Sequence, residues 1–296
     1  MLLKINASTS IMDFIKSMKI DLIRITVFCI CAGAIAHDPH FKDLHIPLAM
    51  NAIIGTAISL LLAFRTAQSY DRWWEARIVW GGVVNDSRSF IRQLQLFLPY
   101  EKKIEINRFT ERQIMWCYAL SQSLRKEQFA TRLQEYLDRE DIRAQNIPNE
   151  ILSKHSLHIK ELTESGIISE FRQVQLDSTL MRFCDSMGRC ERIKSTIFPM
   201  SYSKLINFLI YLFALMFPFS LDSEYVLIKM IIAILIPLIF LIIERTAILM
   251  QDPFENKPMD IPMTSICQTI EMNLNQMTNQ EPKTPDPPKN DYYYIL

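Results

Sequence analysis

The sequence predicts an all-α integral membrane protein with four membrane-spanning helices and a charged helical region in the middle of the chain. Apolar residues gather in four blocks near the two ends, and each block approaches the ~20 residues that a helix needs to cross a bilayer. Between the blocks, apolar residues recur with the helical period, and no stretch alternates as a half-buried strand does. The blocks are residues 20–36, 46–64, 205–219 and 225–243.

The chain before the first block is amphipathic. Residues 1–19 interleave apolar and charged side chains, which predicts a helix lying in the membrane interface before the first spanning helix. Asp21 and Arg24 stand one turn apart at the start of the span, where we expect them to neutralise each other near the headgroups. The connection after this helix contains three histidines, but no cysteine or carboxylate spacing completes a metal-ligand set, so we expect a solvated loop.

The second block passes at Arg65 into a charged, aromatic-rich stretch with no proline or glycine at the junction. We therefore expect one helix that leaves the membrane between Phe64 and Arg65 and continues to about Leu94, before Pro99. The first half favours lipid or protein surroundings, and the second half requires water or polar partners.

Two stripes run side by side along this helix. The first consists of the small residues Gly55, Ser59 and Ala63. The second consists of Thr56, Leu60 and Phe64. Small residues at this spacing let helices approach closely. Polar side chains in a span rarely face lipid, and the spacing alone leaves two explanations: hydrogen bonds between helices, or a face lining a water-filled path.

The remaining chain divides by composition. We expect His155 and His158 on a solvated helix face and a turn at residues 146–149. The expected regions are 1–64 with the interfacial helix and spans one and two, 65–200 as a cytosolic helical region, 201–245 with spans three and four, 246–275 as a cytosolic C-terminal segment, and 276–296 as a disordered tail.

Basic residues flank the spans on one side, which predicts that both termini and the middle region are cytoplasmic. The flanking residues include Lys16, Lys19, Arg65, Arg72, Arg77, Lys204 and Arg245. The formal net charge of +0 gives no basis for nucleic-acid binding. The six cysteines form no CxxC pair, so reduced, packed thiols are expected.

No motif in the chain indicates catalysis. There is no GxSxG, no HExxH, no phosphate-binding loop and no glycine-rich dinucleotide turn. Ion pairs with nearby arginines explain the helical acids Glu75, Asp86 and Glu191. We therefore expect neither an enzyme nor a bound metal or cofactor.

Residues 59–88, SLLLAFRTAQSYDRWWEARIVWGGVVNDSR, closely resemble the signature of the prokaryotic bestrophin homologues. Further matches lie at residues 188–193, 197–199, 252–254 and 260–262, so the resemblance covers about residues 5–275. The signature residues are Arg65, Ser69, Tyr70, Asp71, Arg72, Trp73, Trp74, Glu75 and Arg77. The resemblance implies a homopentameric channel for small monovalent ions in the bacterial plasma or inner membrane, with four spans per subunit and one axial pore.

In this family the second span lines a hydrophobic neck with three rings one turn apart. Anchored on the match at residues 72–74, the resemblance assigns the rings to Thr56, Leu60 and Phe64. Thr56 is smaller and more polar than the family pattern, so the outer ring is expected to be weaker or wetter. A second, cytosolic constriction is expected at Phe171, with Ile168 and Val174 as alternatives.

Animal members of the family bind calcium through a dense acidic cluster. In this chain Lys257 and Pro258 interrupt the corresponding acids, so we expect no calcium site. The resemblance leaves two alternatives for the conducted ion. The family name indicates chloride, whereas an apolar neck does not select the sign of the ion's charge and permits cations. The alternative function is a membrane-anchored helical scaffold or sensor, in which Leu60 and Phe64 are ordinary packing residues.

Overall fold

The computed structural model describes residues 7–41, 44–196, 198–221, 226–257 and 259–280. Within these ranges the chain contains nine α-helices, short 3-10 turns and no β-strand, which confirms the all-α prediction. The helices are α1 (Ala7–His37), α2 (Leu48–Phe97), α3 (Lys103–Arg125), α4 (Thr131–Arg139), α5 (Ile147–Glu164), α6 (Glu170–Ser195), α7 (Met200–Met216), α8 (Val226–Gln251) and α9 (Met263–Thr278).

The chain divides into two compact units. Described residues within Met1–Arg72 and Ile197–Gln251 form the first unit, and those within Trp73–Thr196 and Asp252–Leu296 form the second. Composition places the divisions after residues 64, 200 and 245, where the apolar blocks end. The contacts place them several residues away because α2 and α8 keep packing within the first unit beyond their apolar stretches.

Among the described residues, four helices are long and apolar enough to cross a membrane, in agreement with the four blocks in the sequence. They are Met18–His37, Leu48–Phe97, Met200–Ser220 and Val226–Gln251. The expected change from an interfacial helix to a separate span near residue 20 is absent, because α1 is continuous over its 31 residues. No proline or glycine occurs between residues 7 and 32, so no residue there interrupts the helix.

The first unit is built on α1, α7 and α8, which pack against one another. The second helix joins them through the larger side chains of Ile58 and Leu62, which are buried together with Ile206 and Ile210. At Gly55 the approach is closer, because a Cβ placed there would lie 3.4 Å from the Phe213 ring. A single glycine therefore sets how near α2 lies to its neighbour at this level.

The second unit has its own aromatic core. Here α3 packs on α5 and α9, and α5 packs on α6. The largest fully buried side chains of this core are Trp80, Phe90, Phe109, Trp116, Phe183 and Phe254. Two of them, Trp80 and Phe90, come from the polar half of α2, so this half of the helix is a structural member of the second unit.

Two expected boundaries shift. The expected turn at residues 146–149 is the first turn of α5, because the side-chain oxygen of Asn146 accepts a hydrogen bond from the Asn149 N–H at 3.1 Å. At the other end, α9 continues to Thr278, which is 4% exposed, so residues 276–278 belong to the helix and not to a tail. Residues 281–296 lie outside the described part of the chain.

Candidate functional site

The second helix presents two different faces in the first unit. Its packed face carries Ile58 at 0% and Leu62 at 2% exposure, with Asn51, Arg65 and Ser69 on the same side. These residues recur every three or four positions, which is the spacing of one helix face. One face of α2 is therefore fixed by its own subunit.

Hydrogen bonds fix the axial position of α2 relative to the neighbouring helices. Near its start, the Asn51 amide donates to the Ser220 hydroxyl. Further along, the Tyr202 hydroxyl donates to the Leu61 carbonyl oxygen at 3.0 Å. Because hydrogen bonds are directional, they define the register of α2 more sharply than apolar contact does.

A buried charged cluster ends the apolar half of α2. The Arg65 side chain is 2% exposed and its Nη1 lies 3.1 Å from Oε1 of Glu244, which is fully buried on α8. The same nitrogen donates to Ser203 Oγ at 2.6 Å, and the guanidinium lies 4.8 Å from the centroid of the Phe198 ring. These contacts join α2 to α7 and α8 at one level. Glu244 is packed inside the unit, and α8 continues beyond it to Gln251.

A second charged group lies on α1 and α8. The expected pair forms, with Arg24 Nη1 and Asp21 Oδ1 3.7 Å apart. Arg245 Nη2 lies closer to the same oxygen, at 3.0 Å. Asp21 is therefore shared between a neighbour on its own helix and an arginine of α8.

The opposite face of α2 is left uncovered by the described part of the chain. The side chains of Leu60 and Phe64 are 58% and 59% exposed, and Thr56 is also exposed. The Thr56 hydroxyl donates to the Ala52 carbonyl oxygen of its own helix at 2.8 Å. Because this hydrogen bond turns the hydroxyl toward the backbone, the exposed part of the Thr56 side chain is its methyl group.

The stripe of small residues is only partly used for packing within the chain. Gly55 meets the Phe213 ring, as described above, whereas Ser59 and Ala63 are exposed. The Ser59 hydroxyl donates to the Gly55 carbonyl oxygen at 2.8 Å. Close packing between helices of one subunit therefore occurs at the first position of the stripe.

The signature residues after Arg65 make specific contacts within each unit. Arg72 Nε donates to the Gln251 carbonyl oxygen at 3.0 Å, which holds the end of α8 against α2. In the second unit, Trp73 Nε1 donates to the Met259 carbonyl oxygen at 2.8 Å, and its ring stacks with Trp74 at 6.3 Å between centroids. Ser69 is buried, whereas Tyr70, Asp71 and Arg77 are exposed.

The helical acids of the second unit mostly form the expected ion pairs. Glu75 Oε1 lies 2.7 Å from Arg192 Nη2, and Asp86 Oδ1 accepts from Arg182 Nε at 2.8 Å. Glu191 differs, because its carboxylate accepts a hydrogen bond from the Asn146 amide at 2.9 Å. These contacts give the acids structural roles.

The candidates for a second constriction separate at the start of α6. Phe171 is 89% exposed and Val174 is 69% exposed, one turn apart on the helix. Ile168 is 2% exposed and belongs to the aromatic core, so it is excluded as a residue that lines an open path. Phe171 and Val174 remain the candidates.

The acidic segment near the C-terminus is held by protein cations. Lys194 Nζ lies 2.6 Å from Asp252 Oδ2, and Lys257 pairs with Glu255. Asp260 Oδ2 accepts from the Lys257 N–H at 3.0 Å, while burial raises the pKa of Asp260 to about 6. Within the described residues no three His, Cys, Asp or Glu side chains are grouped as metal ligands.

The prediction of a solvated face for the α5 histidines is wrong, because His155 is fully buried and the His158 side chain is only 12% exposed. His155 is 0% exposed and packs against the rings of Phe90 and Phe109, and burial lowers its pKa well below the usual value. His158 stacks on Phe109 at 4.1 Å, and its Nε2 lies 3.1 Å from Glu105 Oε2. The spacing of residues 151, 155, 159 and 162 already forms an inward stripe, and this signal could have found His155.

Comparison with known proteins gives consistent matches over most of the chain. Residues 6–276 match the family model described as bacterial/fungal bestrophin protein. The voltage-dependent anion channel-forming protein YneE of Escherichia coli (strain K12) is 32% identical over 253 residues, which are 84% of this chain and 82% of that protein. A voltage-dependent anion channel-forming protein of Ralstonia nicotianae is 27% identical over 253 residues, 83% of this chain and 82% of that protein.

The fold also matches a solved structure. A bacterial bestrophin homologue from Klebsiella pneumoniae superimposes with a TM-score of 0.82 and 29% sequence identity. The match covers 90% of this chain and the whole of that chain. The arrangement of helices described above is therefore shared with an experimentally determined structure of a bacterial bestrophin homologue.

Proposed function

This chain belongs to the bacterial and fungal bestrophin family, and from that premise we propose that it forms an anion-conducting channel in the membrane. The proposed channel is a homopentamer with one pore on its symmetry axis, and the exposed face of α2 lines the neck of that pore. The names of the relatives from Escherichia coli and Ralstonia support the anion. The four helices of spanning length support the membrane location.

The exposed α2 face is the observation that carries the proposal. Leu60 and Phe64 are large apolar side chains that remain more than half exposed although the other side of the same helix is fully packed. The buried cluster around Arg65 and the hydrogen bonds at Asn51 and Leu61 leave α2 little freedom to turn this face inward within its own subunit. Symmetry-related copies of the helix around an axis would place these side chains in rings.

Rings of apolar side chains control the passage of ions by admitting or excluding water. A narrow apolar segment offers an ion no substitute for its hydration shell, so conduction depends on whether water fills the neck. Thr56 supplies a narrower side chain whose hydroxyl is already bonded within the helix, so we propose that it forms a wider, apolar outer ring. Leu60 and Phe64 then form the narrowest part.

A second constriction is proposed at Phe171, with Val174 one turn further along α6. Both side chains are exposed in the subunit, Phe171 at 89% and Val174 at 69%, so both are free to line an open path. We propose that the second unit and both chain termini lie in the cytoplasm and that the membrane is the bacterial inner membrane. The basic residues that follow the second span support this orientation.

Flux through vesicles tests the proposal against the alternative of a membrane-anchored scaffold. Purified protein in liposomes loaded with a chloride-sensitive dye is expected to carry chloride, and Leu60→Ala and Phe64→Ala are expected to increase the rate several-fold by widening the neck. Leu235→Ala on α8 is the matched control, because Leu235 is 50% exposed in another spanning helix and is placed outside the pore. Absence of flux from correctly folded wild-type protein would favour the scaffold, and equal flux in all variants would remove Leu60 and Phe64 from the neck.

A further inference from the structure

The second unit contains a cavity that the proposed conduction path does not use. It lies between the C-terminal part of α3, the connection to α4, and the first turns of α4 and α9, and its volume is about 360 Å³. This volume is within the range of small-molecule sites. Its wall is mixed, with Met115, Ala130 and Leu133 on the apolar side and Gln122 and Gln268 among the polar groups.

Arg125 is the unusual member of the wall. Its side chain is only 6% exposed, and its Nη1 donates to Thr264 Oγ1 at 2.7 Å. The Nε and Nη2 atoms are buried and have no hydrogen-bond partner within the described residues. Buried charged donors are normally paired, because leaving them unpaired costs free energy.

The local charges leave one positive charge without close compensation. Arg132, in the same wall, is paired with Glu271 at 2.8 Å, and Glu271 also accepts a hydrogen bond from the Tyr118 hydroxyl at 2.9 Å. The acidic groups that act on Arg125 are Glu127, whose carboxylate oxygen is 3.9 Å away on a side chain that is 41% exposed, and Asp260, which acts at longer range. Glu127 also accepts from the Asn256 amide at 3.2 Å, so it has a second partner outside the cavity.

We propose that this cavity binds a small organic monocarboxylate, which takes the place of Glu127 as the counter-ion of Arg125. The Nε and Nη2 atoms form one edge of the guanidinium plane and offer two parallel N–H donors, a geometry that matches the two oxygens of a carboxylate. The apolar wall accommodates the organic part of the ligand. The single positive charge of Arg125 matches a singly charged ligand. Its Nε and Nη2 edge is buried when no ligand is bound, so binding requires a local rearrangement of the wall in which the half-exposed Glu127 withdraws from Nη1 as the carboxylate enters.

Direct titration of the full-length protein in detergent micelles tests this site without any measurement of conduction. The probes are sodium benzoate, neutral benzamide of nearly the same shape, and sodium sulfate, at constant ionic strength set with chloride. We expect one benzoate per subunit, bound at least about tenfold more tightly than benzamide, since a charge-assisted pair of hydrogen bonds is lost with the amide. Sulfate is expected to bind more weakly than benzoate.

Four variants make the test specific. Arg125→Gln is expected to weaken benzoate binding at least about tenfold, and Ala130→Phe is expected to abolish it by filling the cavity from an exposed position. Glu127→Gln is expected to strengthen binding about two- to threefold, because it removes the competing carboxylate from a half-exposed pair. Arg143→Gln is the control, as Arg143 is 82% exposed and not in the cavity wall.

The proposal is overturned by no benzoate binding to wild type, by equal binding of benzoate and benzamide, by a preference for sulfate, or by unchanged affinity in Arg125→Gln. Unchanged or weaker binding in Glu127→Gln overturns the exchange of counter-ions.

Discussion

The buried pair of Arg65 and Glu244 gives a prediction whose size follows from the structure. Glu244→Gln keeps the shape of the side chain and removes its charge, which leaves Arg65 at 2% exposure without its carboxylate 3.1 Å away. Breaking a buried pair in this way costs about 3–5 kcal/mol in soluble proteins. Ser203 and the Phe198 ring still contact the guanidinium and reduce the loss, so we expect a destabilisation near the lower end, about 3 kcal/mol.

The double variant Arg65→Met, Glu244→Leu provides the decisive comparison. It removes both charges and replaces them with apolar side chains of similar length, so no buried charge is left without a partner. We expect it to be less destabilised than Glu244→Gln alone. Arg24→Gln is the control: its pair with Asp21 is 3.7 Å long and the Arg24 side chain is 69% exposed, so its effect should be small.

Denaturant unfolding in micelles, followed by tryptophan fluorescence and circular dichroism, measures these free energies. The reasoning is refuted if Glu244→Gln unfolds at the same denaturant concentration as wild type. It is also refuted if the double variant loses as much stability as the single variants Arg65→Met and Glu244→Leu together, since independent effects would mean that the two groups do not interact.

Three further predictions address selectivity, calcium and pH. Asp71 is exposed and lies two turns after Phe64 on the same side of α2, so Asp71→Asn is expected to raise the ratio of chloride to potassium permeability about twofold. The factor corresponds to the interaction energy of ~0.4 kcal/mol between two unit charges ~10 Å apart in water. Bi-ionic reversal potentials measure the ratio, and an unchanged ratio would place Asp71 away from the ions. Because Asp252 and Glu255 are already paired with lysines, current through reconstituted protein is expected to be the same with calcium and with EGTA, and strong calcium dependence would contradict this. Burial lowers the pKa of His155, so below about pH 6.5 the unfolded state takes up a proton that the folded state does not. The free energy of unfolding should therefore fall as the pH decreases below about 6.5, by up to about 2 kcal/mol at pH 5. His155→Phe should flatten this dependence in denaturant unfolding at pH 7 and pH 5, and an equal loss in both proteins would assign it to other groups.

Local properties of the chain were sufficient to predict the helices that matter for the site. The length of the apolar blocks predicts the four helices that are long and apolar enough to cross a membrane, and the uninterrupted sequence around Arg65 predicts the continuity of α2, which is 50 residues long. The side-by-side stripes on α2 also follow from helical period alone. The choice of Thr56, Leu60 and Phe64 as the pore-lining stripe came from family resemblance, and the exposure of these residues supports it without testing it.

Tertiary neighbours decided what the sequence left open or predicted wrongly. The sequence does not indicate a partner for Glu244, yet Arg65 reaches it from another helix and both side chains are buried. His155 looked like part of a solvated face, yet it lies among Phe90 and Phe109, which are far away in the sequence. Composition and period describe one element at a time, so they do not show which distant side chain will meet a given charge or ring.

Reversal potential in a planar bilayer, under a potassium chloride gradient and with purified protein, tests the central claim most directly. The proposed anion channel predicts a current that reverses close to the chloride equilibrium potential and grows in Leu60→Ala without a change of sign. Reversal at the potassium equilibrium potential would contradict the anion, and the absence of current in both wild type and Leu60→Ala would contradict the channel itself.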